Sequence, residues 1–144
     1  MIQKAGAADA AEAAILAGEL WPGHGLEELE EEMRTLLTSG RAAIFLAREG
    51  AEPVGFAQCQ LRSDYVEGTS SSPVGYLEGI YVRASFRGRG CARALLQACE
   101  QWALEQGCGE FASDCSLGNR ESLAFHLSTG FREANRIICF VKTL

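Results

Sequence analysis

Residues 80–93 read Ile80-Tyr81-Val82-Arg83-Ala84-Ser85-Phe86-Arg87-Gly88-Arg89-Gly90-Cys91-Ala92-Arg93. A β-rich stretch meets a turn dense in glycine and arginine, then a helix-forming run. Such a turn can hold an anion. The first-turn N–H groups of a helix have no partner inside it, and the dipole adds about half a positive charge there. Gly88 and Gly90 let the backbone approach a ligand, Ala92 keeps the helix start slim, and arginines supply charge-assisted contacts to phosphate. The spacing is neither a Walker loop nor a dinucleotide fingerprint. An ordinary strand-to-helix turn with surface arginines is the other reading.

Two carboxylates could work beside this turn. Glu78 lies mid-strand among Tyr76, Leu77, Ile80 and Val82. Simple alternation puts it on one face with Ile80 and Val82. A buried carboxylate needs a cation or donor nearby, and Gly79 would permit a bulge or close ligand approach. Glu78 is either an amine-binding or proton-accepting group or half of a structural salt bridge. Asp114 follows a short strand at 110–113 and would share the crevice if that strand neighbours 76–82. Its alternative is a helix cap or Asx-turn. No Ser-His-Asp or Cys-His arrangement is visible. The six cysteines (59, 91, 99, 108, 115 and 139) form no CxxC, and no histidine pair has finger spacing, so no metal site is expected. With no export signal the cysteines read as free thiols in a cytoplasmic protein.

The 144 residues suit one domain, 1–144, which buries roughly 70% of its unfolded surface. At 47% hydrophobic and 22% charged, the composition is that of a globule. No run approaches the ~20 apolar residues of a membrane span. Net charge is −6, from 13 basic and 19 acidic side chains. Four of the basic residues are the arginines of 83–93, which leaves −10 on the rest. One basic patch in an acidic protein implies an anionic ligand there, leaves room for a cationic one elsewhere, and argues against nucleic acid or membrane partners.

The elements that must position these groups follow from periodicity. Residues 1–5 suggest a short strand. Residues 9–20 suggest a helix with Asp9 as N-cap, broken by Leu20-Trp21-Pro22-Gly23-His24-Gly25. A second helix spans 26–37, with Leu26, Leu29, Met33, Leu36 and Leu37 on one face and a run of glutamates on the other. Strands are expected at 42–48, 53–62, 75–82 and 110–113, with a polar loop at 63–73. Helices are expected at 90–106, ended by Gly107, and at 119–129, ended by Gly130. Residues 131–133 and 137–142 read as the last strands. The order is mixed α and β around a central strand–loop–helix unit.

Arg87-Gly88-Arg89-Gly90-Cys91-Ala92 resembles the (Gln/Arg)-x-x-Gly-x-(Gly/Ala) signature of the GNAT superfamily of N-acetyltransferases. Asn119, His126 and Gly130-Phe131 resemble a second family pattern of Asn, Tyr seven residues on, then Gly-Phe. The resemblance implies an α/β GNAT fold: a mostly antiparallel mixed sheet of about six to seven strands flanked by about four helices. It implies acetyl-CoA as cosubstrate, held by Ile80, Tyr81, Val82, Arg87, Gly88, Arg89, Gly90, Cys91, Ala92, Arg93 and Asn119. Asn119 would meet the pantetheine arm. His126, where the family has tyrosine, would protonate the departing thiolate or serve only in packing. Further strings, among them Leu20-Trp21-Pro22, Arg62-Ser63-Asp64-Tyr65, Tyr76-Leu77-Glu78-Gly79 and Ala112-Ser113-Asp114, are similar to aminoglycoside 6′-N-acetyltransferases, which are antibiotic-resistance enzymes.

That similarity implies a polycationic, hydroxyl-rich substrate, which carboxylates and a flat aromatic surface would suit. Glu78 and Asp114 would act on the amine, and Trp21, His24 and Tyr65 would line the site from loops. Asn135 holds the last turn, where the family often has an acid. The expected chemistry is direct attack in a ternary complex. Glu78 would take the proton and N–H groups near Ile80 would polarise the carbonyl. A homodimer is implied by the resemblance alone. The alternatives are an acetyltransferase for a polyamine or a peptide or protein amine, and a non-catalytic acyl-CoA sensor.

Overall fold

The computed structural model describes all 144 residues. In chain order the elements are β1 (Ile2–Lys4), α1 (Ala10–Leu20), α2 (Leu26–Thr38), β2 (Ala42–Glu49), β3 (Glu52–Arg62), β4 (Val74–Val82), α3 (Cys91–Glu105), β5 (Phe111–Ser113) and α4 (Arg120–Ser128). Single 3-10 turns sit at Ala7–Asp9 and Ala84–Phe86. The sheet follows chain order, β1-β2-β3-β4-β5. The first four strands are antiparallel, and β5 lies parallel to β4. A parallel pair needs a crossover, and α3 supplies it. The α/β class, the mostly antiparallel mixed sheet and the four helices agree with the sequence reading.

Each face of the sheet has its own core. On one, Leu95, Leu96, Cys99 and Trp102 of α3 pack on Ala57, Cys59 and Leu77. Phe125 of α4 joins the same side. On the other, the small residues of α1 (Ala13, Ala14, Ala17) and Leu29 and Met33 of α2 cover Ile44, Leu46 and Phe56. Phe56 is fully buried, and its truncation to alanine should cost about 3–5 kcal/mol. The strip 26–37 forms its helix, with Leu29 and Met33 buried, but Leu26 stays exposed at the first turn. No helix is long and apolar enough to cross a membrane.

Two local expectations are corrected. Asp9 precedes α1 but makes no side-chain cap. Its carboxylate accepts from the Gly6 N–H at 2.8 Å and approaches Arg48 at 3.4 Å. The preceding turn takes the carboxylate for its own cap, and Arg48 adds a longer contact from across the fold. Residues 131–133 and 137–142 form no strands, so the sheet has five. Phe131 packs near Phe111 and His126, with ring centroids 6.2 and 5.0 Å apart. Beyond it Ile137, Ile138, Phe140 and Val141 are exposed. Apolar alternation is a local property. A strand also needs a partner, and this segment pairs with none, although the outer edge of β5 is open.

Candidate active site

The arginine turn forms an anion cradle. Gly88 and Gly90 have φ of 78° and 82°, the left-handed region that glycine enters without strain. Gly90 caps α3, so first-turn N–H groups of that helix open toward the turn. A cleft of about 200 Å³ lies here, lined by Val82, Arg87, Gly88, Gly90, Cys91 and Arg93, with Ala92 and Phe125 beside them. Arg87 Nε donates to the Val82 carbonyl at 2.7 Å. Arg93 donates to the Ser128 carbonyl at 3.2 Å, tying α3 to α4. Arg89 lies over the Phe86 ring at 5.3 Å. Arg83 is diverted to Glu19 at 3.0 Å and Glu52 at 3.4 Å. Of the four arginines in the basic patch, Arg87 and Arg93 line the cleft, Arg89 sits on the turn between its two glycines, and Arg83 is held elsewhere.

The sheet opens beside the cradle. β5 pairs with β4 only from Gly75 to Leu77. From residue 78 to 82, the edge of β4 turned away from β3 has no strand neighbour. Apart from the Val82 carbonyl, which Arg87 holds, its peptide groups, including those near Ile80, have no strand partner. The Tyr81 side chain turns to the α1 side, 5.7 Å from the Arg87 guanidinium.

Asn119, expected at the pantetheine arm, and His126, expected at the departing thiolate or in packing, both make contacts within the fold. Asn119 accepts the Ser122 N–H at 3.1 Å and caps α4, outside the lining of the cradle. His126 Nδ1 meets the Ser122 carbonyl at 2.6 Å, and Nε2 meets Ser113 Oγ at 2.8 Å. A carbonyl only accepts, so Nδ1 carries the proton, and in the neutral ring Nε2 accepts from Ser113. The Ser113 hydroxyl also reaches the Leu77 carbonyl at 3.4 Å.

The position of Glu78 depends on a bulge. Gln58 pairs with Gly79 and Cys59 with Leu77, so Glu78 is the extra residue in β4. The bulge breaks the alternation. Leu77, Ile80 and Val82 face α3, whereas Glu78 shares a cleft with Trp21, Leu29 and Met33 on the α1–α2 side. Glu78 is thus not on one face with Ile80 and Val82, because one inserted residue shifts the period-2 count. Gly79 keeps the approach open, since a Cβ there would come within 2.6 Å of the Trp21 ring.

Glu78 has the partner that burial demands. Arg62 Nε and Nη2 donate to its two oxygens at 2.9 and 2.8 Å, a bidentate pair. The same guanidinium lies 3.5 Å over the Tyr76 ring, and the Tyr76 hydroxyl donates to Asp114. Burial first, then this hydrogen bond, pushes the Tyr76 phenol above its ordinary range. Asp114 and Glu78, 36 positions apart, therefore end one chain of contacts, as the pairing of β5 with β4 requires.

A second cleft of about 280 Å³ sits on this face, lined by Trp21, His24, Glu32, Met33, Gln58 and Glu78. Trp21 is braced edge-on by Phe56, with centroids 6.0 Å apart. Gln58 is 8% exposed, and its Oε1 has no partner in the protein. An unsatisfied buried carbonyl costs about 1–3 kcal/mol. Tyr65 and Asn135 do not line this cleft. Tyr65 is exposed on the 63–73 loop. Asn135 donates to Glu67 of that loop. Glu110 holds the loop by accepting the Ser70 and Ser71 N–H groups at 2.9 and 2.8 Å. Its bond from the Ser71 hydroxyl, then that from Ser70 N–H, keeps its carboxyl below the ordinary range.

Sequence reasoning missed Gln58, Glu32 and the roles of Arg62, Tyr76 and Glu110. Gln58 had a signal, being the one polar residue in the apolar run 54–59. Glu32 had none within its run of glutamates.

The Acetyltransferase (GNAT) family model matches residues 12–131. The chain is 44% identical over 140 residues to aminoglycoside N(6')-acetyltransferase type 1 of Stenotrophomonas maltophilia, covering 96% of this chain and 90% of that protein. It is 43% identical to the enzyme of the same name from Serratia marcescens, covering 87% and 86%. Among solved structures, AAC(6')-Iy in complex with the bisubstrate analogue CoA-S-monomethyl-acetylneamine superposes with a TM-score of 0.95 at 37% identity, covering 100% and 98%. With a glycine-capped anion cradle, an open β4 edge and a bulged carboxylate already in place, these matches put the chain in the GNAT acetyltransferase family, among the aminoglycoside N(6')-acetyltransferases.

Proposed function

We propose that the cleft between α2 and the β4 bulge receives the aminoglycoside, and that Glu78 takes the proton from its 6′-amine. The reaction is acetyl transfer from acetyl-CoA to that amine, the activity of the relatives named above. One observation carries the assignment: β4 separates an arginine cradle from a carboxylate-lined cleft, and its bulge sets Glu78 beside the unpaired edge. The residues fit the cosubstrate. Arg87, Arg89, Arg93 and the α3 N-terminus would hold its phosphates, and the open edge at 78–82 would run beside its pantetheine arm. One domain thus binds both substrates.

The amine must be neutral to attack. A simple alkylamine near pKa 10.4 is only about 0.04% neutral at pH 7, so a base that takes the ammonium proton before attack has value. Glu78 takes that proton, the freed nitrogen bonds to the thioester carbonyl carbon, and the C–S bond breaks to leave a thiolate while the nitrogen gives up its second proton to the thiolate or to solvent. N–H groups near Ile80 would stabilise the intermediate oxyanion. Holding both substrates together supplies much of the remaining acceleration. Arg62 orients Glu78 for this role, and Asp114 adds negative charge toward the polycation. A neutral His126 has no free N–H to give. As the thiolate's acid it would act as the imidazolium, handing its proton on through Ser113.

Thiol release from acetyl-CoA with an amine panel tests the reading. Kanamycin and tobramycin should turn over, while spermidine and a lysine peptide should not. The reverse pattern would keep the fold and discard the drug.

The active form is proposed to be a cytoplasmic homodimer. Support comes from the apolar, exposed segment Ile137, Ile138, Phe140 and Val141 and from the outer edge of β5, which ends the sheet. Both suit a second copy, which would cover the apolar surface and complete the edge. Six free cysteines fit a reducing compartment. Light scattering should give twice the chain mass, and truncation after Arg136 should give a monomer. A full-length monomer overturns the dimer.

A further inference from the structure

Gln58 Oε1 is the one buried side-chain oxygen or nitrogen in this protein without a hydrogen-bond partner. Buried polar groups are almost always satisfied. A side chain of the same size without the amide would serve packing in the 54–59 run better. The amide is therefore kept for something outside the protein. It lies at the β3 position facing the β4 bulge, where Gln58 pairs with Gly79, and it lines the cleft below Trp21.

The charges around that cleft are unequal. Glu78 is neutralised by its bidentate pair with Arg62. Glu32, on the α2 wall, has no basic partner. A buried acceptor on the floor and an uncompensated carboxylate at the rim select a ligand rich in donors and positive charge. At about 280 Å³ the space is just under the ~300 Å³ at which small-molecule sites usually begin, so it suits one ring better than a whole multi-ring drug.

We propose that this cleft is a specificity subsite for one amino-sugar ring, in which Gln58 Oε1 accepts a hydrogen bond from a substrate hydroxyl or ammonium and Glu32 attracts an ammonium at the rim. The inference rests on the aminoglycoside reading above and deepens it. Rotating the amide would offer a donor in place of the carbonyl, and a sugar hydroxyl satisfies either. Trp21 supplies the flat wall against which the ring lies.

Calorimetric titration of kanamycin and of CoA into wild type, Gln58→Leu and Glu32→Gln tests it, with melting temperatures alongside. Gln58→Leu should weaken kanamycin about ten- to a hundredfold, leave the CoA Kd unchanged, and melt at or above wild type because it removes an unpaired buried amide. Glu32→Gln lies on the exposed face of α2 and should fold regardless. It should weaken kanamycin several-fold and flatten the salt dependence of binding. Unchanged kanamycin affinity in both variants overturns the subsite while leaving the 6′-acetyltransferase reading intact. Equal losses of kanamycin and CoA affinity in Gln58→Leu also overturn it, by making the role structural. Wild type that binds CoA but no aminoglycoside overturns the functional reading and the subsite together.

Discussion

The two clefts on either side of β4 are built by different means. The cradle is local: strand end, turn and helix start fall within residues 80–93, and its chemistry comes from backbone N–H groups and arginines close in sequence. The carboxylate cleft is assembled from the α1–α2 loop, α2, β3 and β4, residues from 21 to 78. Its key acid is oriented by Arg62 and linked through Tyr76 to Asp114. On the proposed assignment, the phosphates common to a whole family would be held by a local device. The ligand that varies would be held by side chains that substitution can change one at a time.

Four substitutions probe that division. The largest effect is expected for Gly90→Asp. A non-glycine residue at φ 82° is strained, and its carboxylate would face the phosphates. CoA affinity should fall at least a hundredfold, roughly 2.7 kcal/mol or more, measured by calorimetry. Normal affinity would detach the cradle from the cosubstrate. Glu78→Gln keeps the shape and removes the proposed base. Its kcat/KM for kanamycin should drop about 10²- to 10⁴-fold with the CoA Kd unchanged. Equal kcat/KM would return Glu78 to a purely structural pair.

Tyr76→Phe cuts the link to Asp114 and should reduce kcat/KM several-fold, with a stability loss of about 1 kcal/mol. It also has a pH signature. The folded-state pKa is raised, so the unfolded chain loses the phenolic proton first as pH rises past about 10. Wild-type stability should therefore be full below pH 10 and decline above it. The variant should lack that part of the decline, and alkaline melting curves that superimpose would remove the buried phenol as its cause.

The smallest effect belongs to Glu110→Gln, at the anchor of the 63–73 loop. Its folded pKa is depressed, so its contribution is present above about pH 4.3 and is lost as pH falls through the lower folded value. The variant should melt slightly lower at pH 7 and converge with wild type in acid. A constant difference across the acid range would assign the loss to something other than the carboxylate.

Much of the scaffold was legible. The apolar stripe of α3, Gly90 and Gly107 at its ends, Asn119 before α4 and the β2–β3 hairpin all follow from period, caps and turns, which depend on neighbours a few positions apart. The site was legible where it was local. Glu78 was found as an acid needing a partner, but its face was misread, because a bulge is set by how two strands meet. Arg83 was counted into the phosphate patch until Glu19, 64 positions away, claimed it.

By itself the sequence determined the order of elements up to α4, the glycine–arginine turn and the family motifs, since those are written in short-range spacing and backbone conformation. Only the tertiary structure decided which way Glu78 faces, which cation holds it, that Asp114 is joined to it through Tyr76 and Arg62, that Gln58 is left without a partner, and that residues 137–142 pair with no strand. Each of these is a pairing between distant segments, whose energy exists only once the chain has closed and water has been excluded from between them.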